Sequence, residues 1–124
     1  MSIRRFKAFV KARLEFKLLS TKQIAVDHLL TLNLKNLGRS VLKNLVVRLH
    51  SPGLGFPVVC AERFVYSLMP SADKNVKFRV FAPSLERAYF SVYGYASGDA
   101  YFYIESPMMA VQTKEIIQDN ILLM

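Results

Sequence analysis

Between residues 26 and 49 the chain alternates apolar and polar side chains twice, and few folds accommodate that pattern. Val26, Leu30, Leu32 and Leu34 alternate with Asp27, Leu29, Thr31, Asn33 and Lys35. The pattern breaks at Asn36-Leu37-Gly38-Arg39-Ser40 and resumes as Leu45, Val47 and Leu49 against Asn44, Val46 and Arg48. Successive side chains of an extended chain point to opposite sides, so a period of two over a strand's length buries one face. Asn and Gly tolerate the positive φ of a tight connection, so residues 36–38 are expected as the turn of a hairpin.

The same period recurs along the chain. From Phe6 to Leu18 the even positions are Phe, Ala, Val, Ala, Leu, Phe and Leu, and polar residues dominate the odd ones. This predicts a first strand over 6–18. A helical stripe through Ile3, Phe6, Val10 and Leu14 competes only at its start. Ser20-Thr21-Lys22-Gln23 is read as a polar connection, with Ile24 opening the second strand. After the breaker-rich loop at residues 51–57, short strands are expected at 58–61 and 63–68, then a turn at 69–74. Val76, Phe78 and Val80 define another strand. Residues 89–95 and 101–106 form a final hairpin around Ser97-Gly98-Asp99, and 108–112 is a further short strand. The rest, from about residue 113, is a last helical turn or an apolar tail, loose or docking.

About seven short strands with regular turn signals predict an all-β, antiparallel immunoglobulin-like sandwich, with a small barrel as the alternative. The length of 124 residues predicts a single domain over 1–124. A content of 52% hydrophobic and 21% charged residues is that of a folded domain. One cysteine, Cys60, excludes an internal disulfide. Lys7, Lys11, Arg13 and Glu15 interrupt any apolar core of a signal peptide, and no run of roughly 18 apolar residues encodes a membrane-spanning helix. If the chain is full length, this predicts a cytoplasmic protein.

The run Leu30-x-Leu32-x-Leu34-Lys35-Asn36-x-Gly38, followed by Leu45-x-Val47-x-Leu49, resembles the second and third strands of prokaryotic immunoglobulin-like modules. In style it is closest to the cell-adhesion-related domain found in bacteria (CARDB). The resemblance continues through Leu68-Met69-Pro70, Val76-x-Phe78-x-Val80, Ala82-Pro83 and the paired last strands, roughly residues 10–106 in all. Members usually carry Gly after the Leu-x-Pro step, where this chain has Ser71. The resemblance implies an accessory or interaction module and transfers no catalytic residue.

No catalytic or metal constellation emerges from the spacing. His28, His50 and Cys60 share no zinc-ligand pattern, so no metal or cofactor is expected. Asp27 and His28 are adjacent, so on a strand they face opposite ways and cannot form the orienting pair of a triad. Gly53-Leu54-Gly55 lies between prolines with no helix behind it, and is no phosphate cradle. The sequence therefore predicts a protein that is not an enzyme and has no small-molecule substrate.

Two features bear on partners. An odd-length loop at Ser97-Gly98-Asp99 puts Tyr89, Tyr93, Tyr95, Tyr101 and Tyr103 on one face of the last hairpin. It puts Phe90, Val92, Phe102 and Ile104 on the other. That tyrosine face is either a docking surface or plain cross-strand pairing that stabilises the sheet. The second feature is charge: residues 1–50 hold eleven Lys/Arg against two acids, whereas 51–124 hold six against seven. Lys7, Lys11, Arg13 and Lys17 line one face of the first strand, as anion contacts or as guards of an exposed edge. The expectation is a binding or scaffold module for a protein partner or a second copy of itself. The alternative is a basic nucleic-acid-binding domain contacting phosphates through the N-terminal strand, and a membrane surface comes behind both.

Overall fold

A computed structural model describes residues 12–51, 62–81, 85–96, 100–111 and, for the backbone, 114–115. Among these residues, seven strands of six residues or more form two sheets: β1 (Leu14–Ile24), β2 (Asp27–Asn36), β3 (Leu42–His50), β4 (Glu62–Leu68), β5 (Asp73–Phe81), β6 (Arg87–Ala96) and β7 (Ala100–Glu105). Two short additions are β8 (Met109–Ala110) and β9 (Lys114–Glu115). The first sheet runs β5-β2-β1-β9 and the second β4-β3-β6-β7, with β8 also on β6. Among the described residues all pairings are antiparallel except that of β9 with β1. This is an immunoglobulin-like sandwich, the fold expected from the alternation.

The period of two works as expected inside the strands. Leu30, Leu32, Leu34, Leu45, Val47, Leu49, Phe78, Val80, Val92 and Phe102 all lie between the sheets, none more than 5% exposed. Phe78 of the first sheet meets Phe90 of the second at 5.4 Å between ring centroids, so these two rings join the layers.

The connections differ from the sequence reading. The tight hairpin is β1–β2, turning at Ala25 and Val26, where Ala25 takes φ 54° and Val26 is exposed. Residues 20–23 belong to β1 and are no connection. β2 and β3 are not hairpin partners: residues 37–41 carry the chain from one sheet to the other. Alternation decides which face of a strand is buried but not which strand it pairs with, and a crossover between sheets leaves the same pattern. The strand expected at 58–61, the loop 97–99 and the tail beyond 115 lie outside the described residues. Residues 114–115 are extended, not helical.

Asn36 holds the crossover. Its side chain, fully buried, donates to the Ser40 carbonyl at 2.8 Å and the Leu68 carbonyl at 3.0 Å, and its Oδ1 accepts the Gly38 N–H at 2.9 Å. Its main chain bonds the β4–β5 turn at Ala72 and Ser71. The sequence marks Asn36 as a turn residue because it tolerates positive φ. It acts instead as an Asx-turn that ties two connections together. In the β4–β5 turn Ser71 takes φ 67°, a left-handed conformation that glycine adopts at the least cost.

β3 carries a bulge where Lys43 and Val46 pair with Tyr95 and Tyr93, so two residues oppose Gly94. Asn44 takes φ 53° there, and both Lys43 and Asn44 face solvent. A Cβ on Gly94 would lie 2.7 Å from Leu45 Cδ2 and 2.9 Å from the Lys43 carbonyl. Gly94→Ala is therefore expected to cost about 1–3 kcal/mol through overpacking, read as a lower urea midpoint. An unchanged midpoint would mean that the bulge can move aside.

Candidate functional site

The outer face of β4-β3-β6-β7 is built by cross-strand register. Val46 pairs with Phe64 and with Tyr93, and Tyr93 pairs with Tyr103, so one apolar row crosses all four strands. At a strand spacing of about 4.8 Å this row is about 15 Å long. The next row sets Lys43 and Tyr95 beside Tyr101. Phe64 is 61%, Tyr66 71% and Tyr103 52% exposed, and Tyr95 and Tyr101 are exposed as well.

The rings support one another. Tyr101 stands 5.9 Å from Tyr95 edge-on and 6.2 Å from Tyr93. Such pairs limit rotamer freedom, so an incoming surface would order little. Tyr89 stacks on His50 at 4.7 Å between centroids, and the His50 Nε2 lies 2.8 Å from the Ser91 hydroxyl. Burial lowers the His50 pKa, with Arg48 nearby adding to the effect, which favours the neutral ring.

A polar row borders the aromatic one. Arg48 pairs across the strands with Glu62 on one side and Ser91 on the other, and Ser91 with Glu105. The Arg48 guanidinium forms an ion pair with the Glu62 carboxylate, and this hydrogen bond raises the Arg48 pKa. Tyr103 donates its hydroxyl to Glu105 Oε2 at 2.7 Å, which raises the phenol's pKa. The face thus presents an apolar centre with charges at one margin that are already bonded to neighbours.

All five predicted tyrosines lie on this face, since Ala96 pairs with Ala100 and leaves three residues in the loop. Sequence reasoning missed Phe64, Tyr66 and Val46. Their strands are legible in the sequence, but the faces of β4 depend on a pairing with β3 that residue types do not reveal. The predicted basic residues fare differently. Lys7 and Lys11 lie outside the described residues. Arg13 is exposed just before β1, and Lys17 is exposed on the outer face of the first sheet, 4.0 Å from Glu15. His28 is buried in β2 and His50 lies on the outer face of the other sheet, so the fold separates them. Cys60 lies outside the described residues.

No family model matches the chain, and no curated protein does. Among solved structures it is similar to a CARDB domain from Pyrococcus furiosus, solved in complex with di-metal ions. That match has a TM-score of 0.44 and 16% identity, over 86% of this chain and 90% of that one. It is also similar to a β-glucosidase from Kluyveromyces marxianus, with a TM-score of 0.40 and 12% identity over 84% of this chain and 15% of the enzyme. A β-glucosidase from Listeria innocua gives 0.40 and 13%, over 83% and 16%. The chain spans about 15% of the length of the Kluyveromyces enzyme.

Proposed function

We propose that the protein is a non-enzymatic binding module that docks a protein partner on the outer face of β4-β3-β6-β7. The observation that carries this reading is the row Phe64–Val46–Tyr93–Tyr103, which crosses the whole sheet with exposed rings at and beside it. Folding alone needs only one apolar face per sheet, and the inner face already supplies it. Rigid aromatic contact area rimmed by bonded polar groups is the anatomy of a protein interface centre. The phosphate-binding reading of the N-terminal strand has less behind it, because Lys17 stands beside Glu15.

Two measurements test the proposal. Sedimentation at micromolar concentration asks whether the partner is a second copy of the chain. If the wild type self-associates, Tyr93→Asp is expected to weaken the dimer by about 2 kcal/mol or more, roughly 30-fold in Kd. If it is monomeric, a photo-crosslinker placed at Tyr101 should capture a protein in its native cell, and the same group at Thr31 on the other sheet should not. Capture must also be lost with Tyr93→Asp. Equal capture from both faces, or from neither, would overturn the reading.

A further inference from the structure

The other side of the sandwich carries a feature of different chemistry. On the outer face of the first sheet, register sets Lys22, Leu29 and Arg79 in one row and Ser20, Thr31 and Lys77 in the next. These rows meet β1 just past its bulge between Leu18 and Ser20. They line a cavity of about 410 Å3, together with Arg63 from β4. The Arg63 Nε donates to the Lys77 carbonyl at 2.8 Å, which fixes the guanidinium at the sheet edge. The side chains of Leu30 and Phe78 are buried in the core, so these two residues offer the cavity only main chain.

Four cations border this cavity, and among the described residues no carboxylate lines it. Arg79 is gripped by Asp27, Nε at 3.0 Å and Nη2 at 2.8 Å from Oδ2, and lies 5.2 Å from the centre of the Phe81 ring. Its charge is therefore offset. Lys22, Lys77 and Arg63 supply the positive field, Ser20 and Thr31 add hydroxyls, and Leu29 adds an apolar patch. A concavity lined by charge of one sign focuses its potential, and this volume is that of small-ligand sites. A second concavity of about 490 Å3 lies along the seam of β4 and β5, but Glu62 is among its walls. The first cavity is the better anion site.

We infer that this cavity binds a small molecule carrying a phosphoryl group. The phosphoryl oxygens sit among Lys22, Lys77 and Arg63, and the organic body rests on Leu29. The cavity opens on the sheet opposite the aromatic face, and of its cations Arg63 alone reaches it from β4 of the aromatic sheet.

Calorimetric titration at low salt tests this with phenyl phosphate as the probe, beside inorganic phosphate and a single-stranded oligonucleotide. Phenyl phosphate should saturate one site and bind more tightly than inorganic phosphate. Lys22→Gln and Lys77→Gln should each weaken it about fivefold or more, whereas Lys43→Gln on the other sheet should leave it unchanged. Lys22 and Lys77 are exposed, so both variants should keep the parent's circular dichroism spectrum. Four results would overturn the inference. They are no saturable binding, inorganic phosphate binding as tightly as the ester, equal loss in Lys43→Gln, and saturation by the oligonucleotide alone, which would indicate a nucleic-acid surface instead.

Discussion

Phe90→Ala should destabilise the protein by about 3–5 kcal/mol, a large share of the 5–15 kcal/mol typical of a whole domain. Phe90 is fully buried on β6 and meets Phe78 of the opposite sheet at a 42° tilt. Removing the ring deletes its apolar burial and leaves a cavity in the middle of the layer, which backbone hydrogen bonds on both sides hold open. The main chain at this position is bonded independently of the side chain. The Phe90 N–H donates to the Ser106 hydroxyl at 2.8 Å, and the Phe90 carbonyl accepts the Ser106 N–H at 2.7 Å. The loss should therefore come from packing and not from a broken strand. Phe64→Ala is the matched control, because Phe64 is 61% exposed on the outer face and should cost no more than about 0.5 kcal/mol. Urea denaturation with an unchanged slope measures both. A larger cost for Phe64→Ala than for Phe90→Ala would mean that the faces of the second sheet have been assigned the wrong way round.

Those two phenylalanines show how far the sequence can be read. Phe90 is legible as core because Val92, Phe102 and Ile104 share its phase in a hairpin whose register the short loop determines. Local chemistry suffices there, and the tyrosine face follows from the same register. Phe64 needs something further. Its strand pairs with β3, and β3 changes phase at the Asn44 bulge, so Leu42 and Leu45 face inward three residues apart. A strict period of two cannot carry a face assignment across that point. The basic cavity is illegible for a similar reason: Lys22, Arg63, Lys77 and Arg79 come from three strands in two sheets. The prominent run of cations in the sequence is at Lys7, Lys11, Arg13 and Lys17, and sequence proximity is a poor guide to what a sandwich brings together. Each outer face gains its character from rows that run across strands, perpendicular to the direction in which a sequence is read. One face is aromatic, with Arg48, Glu62 and Glu105 bonded along one margin and Lys43 beside the tyrosines. The other is polar and basic around a cavity.

Asn36 is where the sequence identifies the right residue for the wrong reason, and a substitution separates the two accounts. As a mere turn former, Asn36 could be replaced by Gly or Asp at a cost of a few tenths of a kcal/mol. As a buried hub it cannot. Asn36→Ala removes the donors to the Ser40 and Leu68 carbonyls, at 2.8 and 3.0 Å, and the acceptor for the Gly38 N–H at 2.9 Å. The Leu68 bond is fully buried, and each buried group left without a partner costs about 1–3 kcal/mol. The expected loss for Asn36→Ala is about 2–5 kcal/mol. Asn36→Asp sharpens the test because it keeps the shape and the acceptor for Gly38. It supplies no donor to the two carbonyls and puts a charge at a fully buried position. It should destabilise at least as much as Ala does at neutral pH. Because burial favours the neutral acid, the introduced carboxyl would have a raised pKa in the folded state, and the variant should recover stability as pH falls towards about 4. The measurement is the urea midpoint of each variant at neutral and acidic pH, together with hydrogen exchange at the amides of Gly38 and Ser71. Near-parent stability for Asn36→Asp at neutral pH would show that only the Gly38 contact matters, and the crossover between the two sheets would then be held by main-chain bonds alone.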